Sequence, residues 1–445
     1  MFNTGKRGSG SGPSLKPRHK SKGFLPLPAT FNINSIRSFQ RKNSTTIIIT
    51  ILLIWFIFNP LHLLNNIFKS NNYKDYPKPH PLTSIHSIET DSKYIYPPIE
   101  HAPLLKELTV HKLIKESRVR DSNFPEIEKN VITSLNSFDD PDPLIQKQKE
   151  DEENAISNLS VAKNAFKNHD KVIYKPSKNQ NYPEIIVVSA VDFEKYTLDG
   201  LTKIVQNRVD YAHQQGYGVY IRWYQEFLPI LNSLSFLQLK EKKKWVRIYC
   251  MRAAMHAFPE SKWFWYLDED GLIMDMNIDL DDYILASDSL RPVMQREQPI
   301  IPPNGAIKTY KNARPENIRL IITQSDAKVE TESYIIKNDS VGRSIIEIWG
   351  NPLYLNYPSF PFGPDSALTH ILQWHPFILS KTAIIPARNI ASIHNTGNIG
   401  DASTDKLHYF DGDFAATWSS CESPARCEKI LDTYDTKLKA SIKKQ

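Results

Sequence analysis

The chain has 445 residues, 40% hydrophobic and 23% charged, which is ample for one large domain with a true core plus further segments. Its net charge of +6 is unevenly spread: residues 1–42 hold nine Lys and Arg and no acid, leaving 46 basic against 49 acidic residues elsewhere. A body that is not basic excludes nucleic acid as a partner, and three cysteines spaced as Cys250, Cys421 and Cys427 exclude a zinc site.

Residues 1–42 are rich in Gly, Ser, Pro and Lys and are expected to be a disordered cytosolic tail. Residues 43–68 carry no charge, and Ile47–Phe58 is almost wholly apolar. That length suits one membrane crossing, which needs about 20 residues. The basic flank precedes it, so the rest of the chain is expected on the lumenal side, with no cleaved leader. Two sequons, at Asn158 and Asn338, then face the lumen. Residues 69–180 read as a stem, with extended backbone at Tyr76–Pro81 and Tyr96–Pro98.

The globular domain is expected over 181–435. Glu184–Val191 reads as a buried parallel strand. A helix follows with Leu198, Leu201, Ile204, Val205, Arg208 and Tyr211 on one pattern, then a strand at Val219–Tyr224 after Gly216 and Gly218. A second helix spans roughly Gln238–Phe258, and an aromatic strand from Trp263 ends in Asp268-Glu269-Asp270. Later strands are expected at Ile318–Thr323, Ser333–Lys337 and Thr382–Pro386, and helices at Val341–Gly350 and Asp365–Trp374. This alternation predicts an α/β doubly wound mixed sheet with its ligand crevice at the carboxyl ends of the strands, where the acids fall.

In an extended chain, residues two apart point the same way. Asp268 and Asp270 are therefore expected side by side, with Glu269 turned away. Two hard carboxylates suit Mg²⁺ or Mn²⁺ completed by substrate phosphates. Such an ion can neutralise a departing diphosphate. The alternative is a solvated acidic turn after a core strand. Cys421 and Cys427 are six apart, a spacing that allows a local disulfide, and Cys250 is expected as a buried thiol.

Gln206–Ala212, Gly216-Tyr217, Trp263–Met274, Tyr334–Asn338, Gly363–Leu368, Ile385–Arg388 and Gly412–Phe414, in this order, resemble glycosyltransferase family 34. The likeness covers about 182–430 and is nearest to the fungal Golgi α-1,6-mannosyltransferase subunits of mannan polymerase II. The resemblance implies a GT-A fold, GDP-mannose as donor, Mn²⁺, retention of configuration and a type II Golgi membrane protein. It also implies an N-glycan mannan acceptor and partner mannosyltransferase subunits. By the same resemblance, Asp268 and Asp270 hold the metal, and Ser189, Asn207, Arg208 and Asp210 lie at the nucleotide sugar. Asp365 either holds acceptor hydroxyls or is a helix-terminal acid favoured by the macrodipole. Trp223 and Trp349 are expected in the core, with stacking on a sugar as the alternative. Two departures stand out. Thr417 occupies the place of a metal-binding His, with His394 and His408 as substitutes, and Glu330-Thr331-Glu332 replaces a small Asn-Ala-Gly turn. An active mannosyltransferase, a non-catalytic subunit of the same complex and a galactosyltransferase of the same family are the readings carried forward.

Overall fold

A computed structural model describes residues 182–442, with breaks at 229–230, 232–238, 304, 396–400, 420 and 422, and shorter stretches between 99 and 151. The basic tail, the segment 43–68 and Asn158 lie outside the described residues. No helix among the described residues is long and apolar enough to cross a membrane. Strands β1 (Ile114–Arg120) and β2 (Glu128–Ser134) pair antiparallel within the region expected as stem. Ile99 and Ala102, from the same region, are buried in the main core cluster.

The domain opens with β3 (Ile185–Val191), buried along its whole length. It is apolar but for Ser189 because helices cover both of its faces. Helix α1 (Leu198–Gln215) starts at Thr197, whose side chain accepts from the Gly200 N–H, and stops at Gly216. Gly216 is left-handed at φ 72° and gives its N–H to Ala212 and His213 carbonyls, a conformation glycine adopts without strain. Next come β4 (Gly218–Trp223), a short helix α2 (Tyr224–Phe227), α3 (Leu239–Ala257) and β5 (Trp263–Leu267). After β6 (Gly271–Ile273) and α4 (Ser287–Val293), the sheet continues with β7 (Leu320–Gln324) and β8 (Val329–Lys337). Helices α5 (Ser340–Trp349), α6 (Pro352–Leu355), α7 (Pro364–Trp374) and α8 (Pro376–Ser380) lead to β9 (Thr382–Ile384). Strands β10 (Ser392–Ile393) and β11 (Ala415–Thr417) and helix α9 (Pro424–Ile442) complete the domain. The last helix runs past the boundary expected at 435.

The large sheet has the order β4-β3-β5-β8-β7-β9. Strands β4, β3 and β5 are parallel, β8 is antiparallel to β5 and β7, and β9 is parallel to β7. The sheet is therefore mixed, as expected. Because β8 runs against β5, its beginning lies at the carboxyl end of β5: Leu267 faces Ser333, and the Asp268 N–H bonds the Glu332 carbonyl at 2.8 Å. A second sheet, β10-β11-β6, starts directly after the acids, and the Trp418 N–H reaches the Asp270 carbonyl at 2.8 Å. The triplet Asp268–Asp270 is thus the step between two sheets. Gly271 permits that step: a Cβ there would sit 3.1 Å from both the Ala416 carbonyl oxygen and Leu267 Cδ1. Trp223 and Trp349 are fully buried, and Cys250 is a buried free thiol, as the sequence indicates.

Candidate active site

The carboxyl ends of the parallel strands open into a cavity of about 520 Å³. Asp268, Glu269 and Asp270 all line it, at 4%, 3% and 5% exposure. The expectation that Glu269 turns away is corrected. Strand β5 ends at Leu267, so the two-residue alternation stops before the acids, and the turn brings all three carboxylates inward. Glu269 accepts from the Asp192 N–H at 2.6 Å and faces Lys195 at 3.3 Å.

Each expected metal ligand is held by named partners. Asp268 Oδ1 accepts from the Tyr224 hydroxyl at 2.8 Å and the Glu269 N–H at 3.0 Å, and its Oδ2 meets Arg247 at 3.0 Å. Asp270 accepts from the Tyr196 hydroxyl and the Lys195 ammonium, both at 2.5 Å. Burial pushes the Asp270 carboxyl above its usual range, with Asp268 adding to the shift and Lys195 opposing it. Burial also raises Glu269 well above the usual range. For Lys195, burial favours the neutral amine, but Glu269 and Asp270 outweigh it and hold the ammonium charged.

The opposite wall comes from the start of β8 and the start of α7. Asp365 bonds Thr331 and Lys328 and meets Arg247 at 3.4 Å. Lys328 also reaches Glu330 at 2.7 Å and Glu332 at 2.9 Å. The acids that replace the small turn therefore carry their own cation. Burial raises Glu332, but Lys328 and Arg247 outweigh it and leave the carboxyl below its usual range. Glu330 is pushed up to about 8 by burial and then by Glu332. Arg247 joins the two walls, with one nitrogen on Asp268 and another on Thr331 and Asp365.

The four residues expected at the nucleotide do not line this cavity. Arg208 is fully buried, and burial lowers its guanidinium to about 10. Its donors reach the Asp268 carbonyl at 2.8 Å, the Gly271 carbonyl at 2.7 Å and the Ile204 carbonyl at 3.2 Å. Asn207 pairs both ways with the backbone of Ile273, at 2.9 and 3.0 Å, as a neighbouring strand would. Ser189 donates to the Leu267 carbonyl at 2.6 Å. These three side chains fix the acidic turn from behind. Asp210 is exposed and accepts from Gln206 at 2.6 Å.

Neither His394 nor His408 lines the cavity. His394 is paired with the Tyr434 hydroxyl at 2.9 Å and His408 with Asp405 at 2.7 Å. Thr417 is buried in β11. That side of the cavity is instead closed by Ser419, Ser423 and a Cys421–Cys427 disulfide. The disulfide realises the pairing that the cysteine spacing allows. Lys195, Tyr196, Tyr224, Arg247 and Lys328 are site residues that the sequence reading missed. One signal for Arg247 was present: Lys243, Lys244 and Arg247 sit three to four apart on the helix preceding the acidic strand.

Asn338, the described sequon, gives its amide to the Pro259 and Ser261 carbonyls at 3.1 and 2.9 Å and accepts from Arg343 at 2.7 Å. Its side chain ties the end of β8 to the loop before β5.

Residues 181–428 match the family described as galactosyl transferase GMA12/MNN10. The chain is 32% identical to the probable alpha-1,6-mannosyltransferase MNN11 of Saccharomyces cerevisiae, covering 96% of this chain and 100% of that protein. It is 26% identical to an uncharacterized alpha-1,2-galactosyltransferase of Schizosaccharomyces pombe, over 66% of this chain and 86% of that protein. The probable alpha-1,6-mannosyltransferase MNN10 of Saccharomyces cerevisiae is 22% identical over 55% and 60%. Among solved structures, a glycosyltransferase involved in the glycosylation of the major capsid of PBCV-1 is similar at 16% identity and a TM-score of 0.38, covering 56% of this chain and 100% of that one.

Proposed function

The chain belongs to glycosyltransferase family 34, the galactosyl transferase GMA12/MNN10 family, and on that premise we propose that it is an α-1,6-mannosyltransferase that extends N-glycan mannan from GDP-mannose with retention of configuration. The end-to-end likeness to a probable alpha-1,6-mannosyltransferase supports mannose over galactose. The mixed sheet, with its crevice at the ends of β3, β4 and β5, fits a GT-A type domain. The uncharged segment 43–68 behind a basic tail supports a type II Golgi membrane protein working beside partner mannosyltransferase subunits.

The observation that carries the reading is the buried pair Asp268 and Asp270 at the mouth of a cavity sized for a small ligand. The donor set fits a hard divalent ion. Seven carboxylates and five cationic side chains line the cavity. The sulfurs beside Asp270 are bonded to each other, so oxygen is what remains to be offered. Asp268 and Asp270 would hold Mn²⁺, which when bound supplies charge neutralisation to the departing diphosphate. Lys195 and Arg247, now on those two acids, hold the pair inward-facing. Asp365 and Glu332 present oxygens to sugar hydroxyls from the opposite wall. In the transfer, the bond from the anomeric carbon to the diphosphate oxygen breaks and a bond to the acceptor 6-oxygen forms. The acceptor proton passes to the leaving diphosphate on the same face. The protein's contribution is then positioning and charge stabilisation.

One arrangement favours a second reading, a subunit that keeps the fold and steers an active paralogue: Thr417 stands where the resemblance places a His, and neither His394 nor His408 reaches the cavity. The test is mannose transfer from GDP-mannose to an α-1,6-mannooligosaccharide, with and without Mn²⁺, by the full chain alone and with its co-purified partners. Asp270→Ala is expected to lower transfer at least about a hundredfold while leaving assembly intact. Unchanged transfer by the mutant assembly would assign this chain a scaffolding role.

A further inference from the structure

Between Gly350 and Ser380 the chain has a single Asp, Glu, Lys or Arg, and that residue, Asp365, is buried in the cavity wall. The same stretch leaves large apolar side chains in solvent: Leu353 at 73% exposure, Trp374 at 70%, Phe377 at 61%, Tyr357 at 51% and Phe362 at 37%. Its rings form a line. Tyr357 meets Phe360 at 4.7 Å between centroids, Phe360 meets His370 at 6.0 Å, and His370 meets Trp374 at 6.0 Å. Residues four apart on a helix share a face, so Ser366, His370 and Trp374 run along one side of α7. Ala367, Leu368, Ile371 and Leu372 are buried on the other. The line begins at the cavity. Phe362 lines it, and the Phe362 N–H bonds Ser366 Oγ at 3.1 Å. Asp365, which presents oxygens to sugar hydroxyls, is the second residue of the same helix. At 1.5 Å per residue, Trp374 lies about 15 Å farther along α7 than Pro364.

A contiguous exposed apolar face marks an interaction surface. Its composition narrows the partner. A membrane-surface helix presents Lys and Arg, and protein interfaces are enriched in Met and Arg beside their aromatics. This stretch has none of the three. A neutral glycan needs what is present: flat rings for the C–H face of a pyranose, and Tyr, Asn, Gln and His groups at their edges for its hydroxyls. We infer that the outer face of α7, from Phe362 past His370 to Trp374, is a track for a neutral acceptor glycan, holding the sugar units behind the one being elongated. The inference deepens the mannosyltransferase reading and rests on it for the identity of the glycan. A short acceptor fills the cavity without reaching the track, and a long one covers both. Affinity should therefore rise with acceptor length.

The test uses the full chain with its co-purified partners in mild detergent. Calorimetry measures α-1,6-mannobiose and α-1,6-mannohexaose binding to wild type, Trp374→Leu and Trp374→Phe. Wild type should bind the hexaose more tightly than the biose. Trp374→Leu stays apolar but lacks the ring, and it should lose at least about fivefold in hexaose affinity and less than about twofold in biose affinity. Trp374→Phe should recover most of the loss. The melting temperature should not move in either variant, because the side chain is exposed. Equal losses for the two sugars, or hexaose affinity within about twofold of wild type in Trp374→Leu, overturn the track. So does loss of the partners from Trp374→Leu with hexaose binding unchanged, which would make this face a subunit interface. The two readings fail separately. Ring-dependent hexaose binding without mannose transfer removes the transferase reading and keeps the track, whereas transfer with no preference for the hexaose removes the track alone.

Discussion

Arg208 shows how one buried cation can be read in two ways that experiment separates. Its hydrogen bonds go to the backbone of Asp268 and Gly271, the two residues that flank Glu269 and Asp270. Hydrogen bonds from a charged donor are each worth about 1.5–3 kcal/mol. Arg208→Met should therefore cost at least about 3 kcal/mol in urea unfolding and loosen the acidic turn, so that Mn²⁺-dependent GDP binding weakens in step. A variant as stable as wild type that still loses GDP would instead make Arg208 a direct nucleotide contact. Glu330 sets a second expectation at this scale. Its folded value of about 8 lies above the ordinary 4.5 because burial and Glu332 disfavour its charged form. The folded state then binds the extra proton, so its contribution is complete below about pH 4.5 and lost as pH rises through about 8. Glu332, shifted downward, acts below that window. In the metal-free protein the melting temperature should fall from about pH 5.5 to about pH 8, and Glu330→Gln should flatten the slope. An identical slope in the mutant would remove Glu330 as its source.

At the scale of elements, the sequence discloses what has a period or a run. Strands β3, β4 and β5 and helices α1, α3, α5 and α7 fall where their apolar patterns put them. Strands β6, β10 and β11 span two or three residues, too short for alternation to register, yet they fasten the far end of the acidic turn. The inward Glu269 was hidden because strand geometry was extended three residues beyond the last residue of β5. Asn207 and Arg208 were visible as a polar pair on a helix, but spacing could not show that they point at backbone instead of a ligand. Lys328 joins the site only through the antiparallel pairing of β8 with β5, which no local pattern announces. Helix α9 is a further case, with Cys427 buried in its first turns and tied to Cys421 on the cavity wall. Closing so short a loop is worth about 2 kcal/mol. Replacing both cysteines with serine should lower unfolding stability by about that amount and weaken GDP binding, because Ser419 and Ser423 lose their anchor. Lost stability with unchanged GDP affinity would confine the disulfide to a structural role.

For the whole molecule, the cavity is assembled from segments far apart in the chain. Asp192 and Lys195 follow β3, Lys244 and Arg247 lie on α3, and the acids follow β5. Lys328 precedes β8 and Glu332 lies within it, Asp365 opens α7, and Cys421 precedes α9 while Cys427 lies in its first turns. A ligand that touches all of these walls ties the first half of the domain to the last. Binding to the folded state alone adds RT ln(1 + [L]/Kd), about 2.7 kcal/mol at a hundredfold excess over Kd. For a domain of this size that is a rise of roughly 5–10 °C in melting temperature. The charge balance predicts which combination produces it. Mn²⁺ alone must displace Lys195 and Arg247 from the two aspartates, and GDP alone brings more negative charge to a wall where acids already outnumber cations. Together each offsets the other's cost, so the rise with both should exceed the sum of the separate shifts. Asp268→Ala and Asp270→Ala should abolish that excess while keeping the fold, because the Arg208 and Asn207 contacts to the turn are to backbone. Additive shifts in wild type, or synergy that survives in both variants, would mean that the metal and the diphosphate do not meet at this turn.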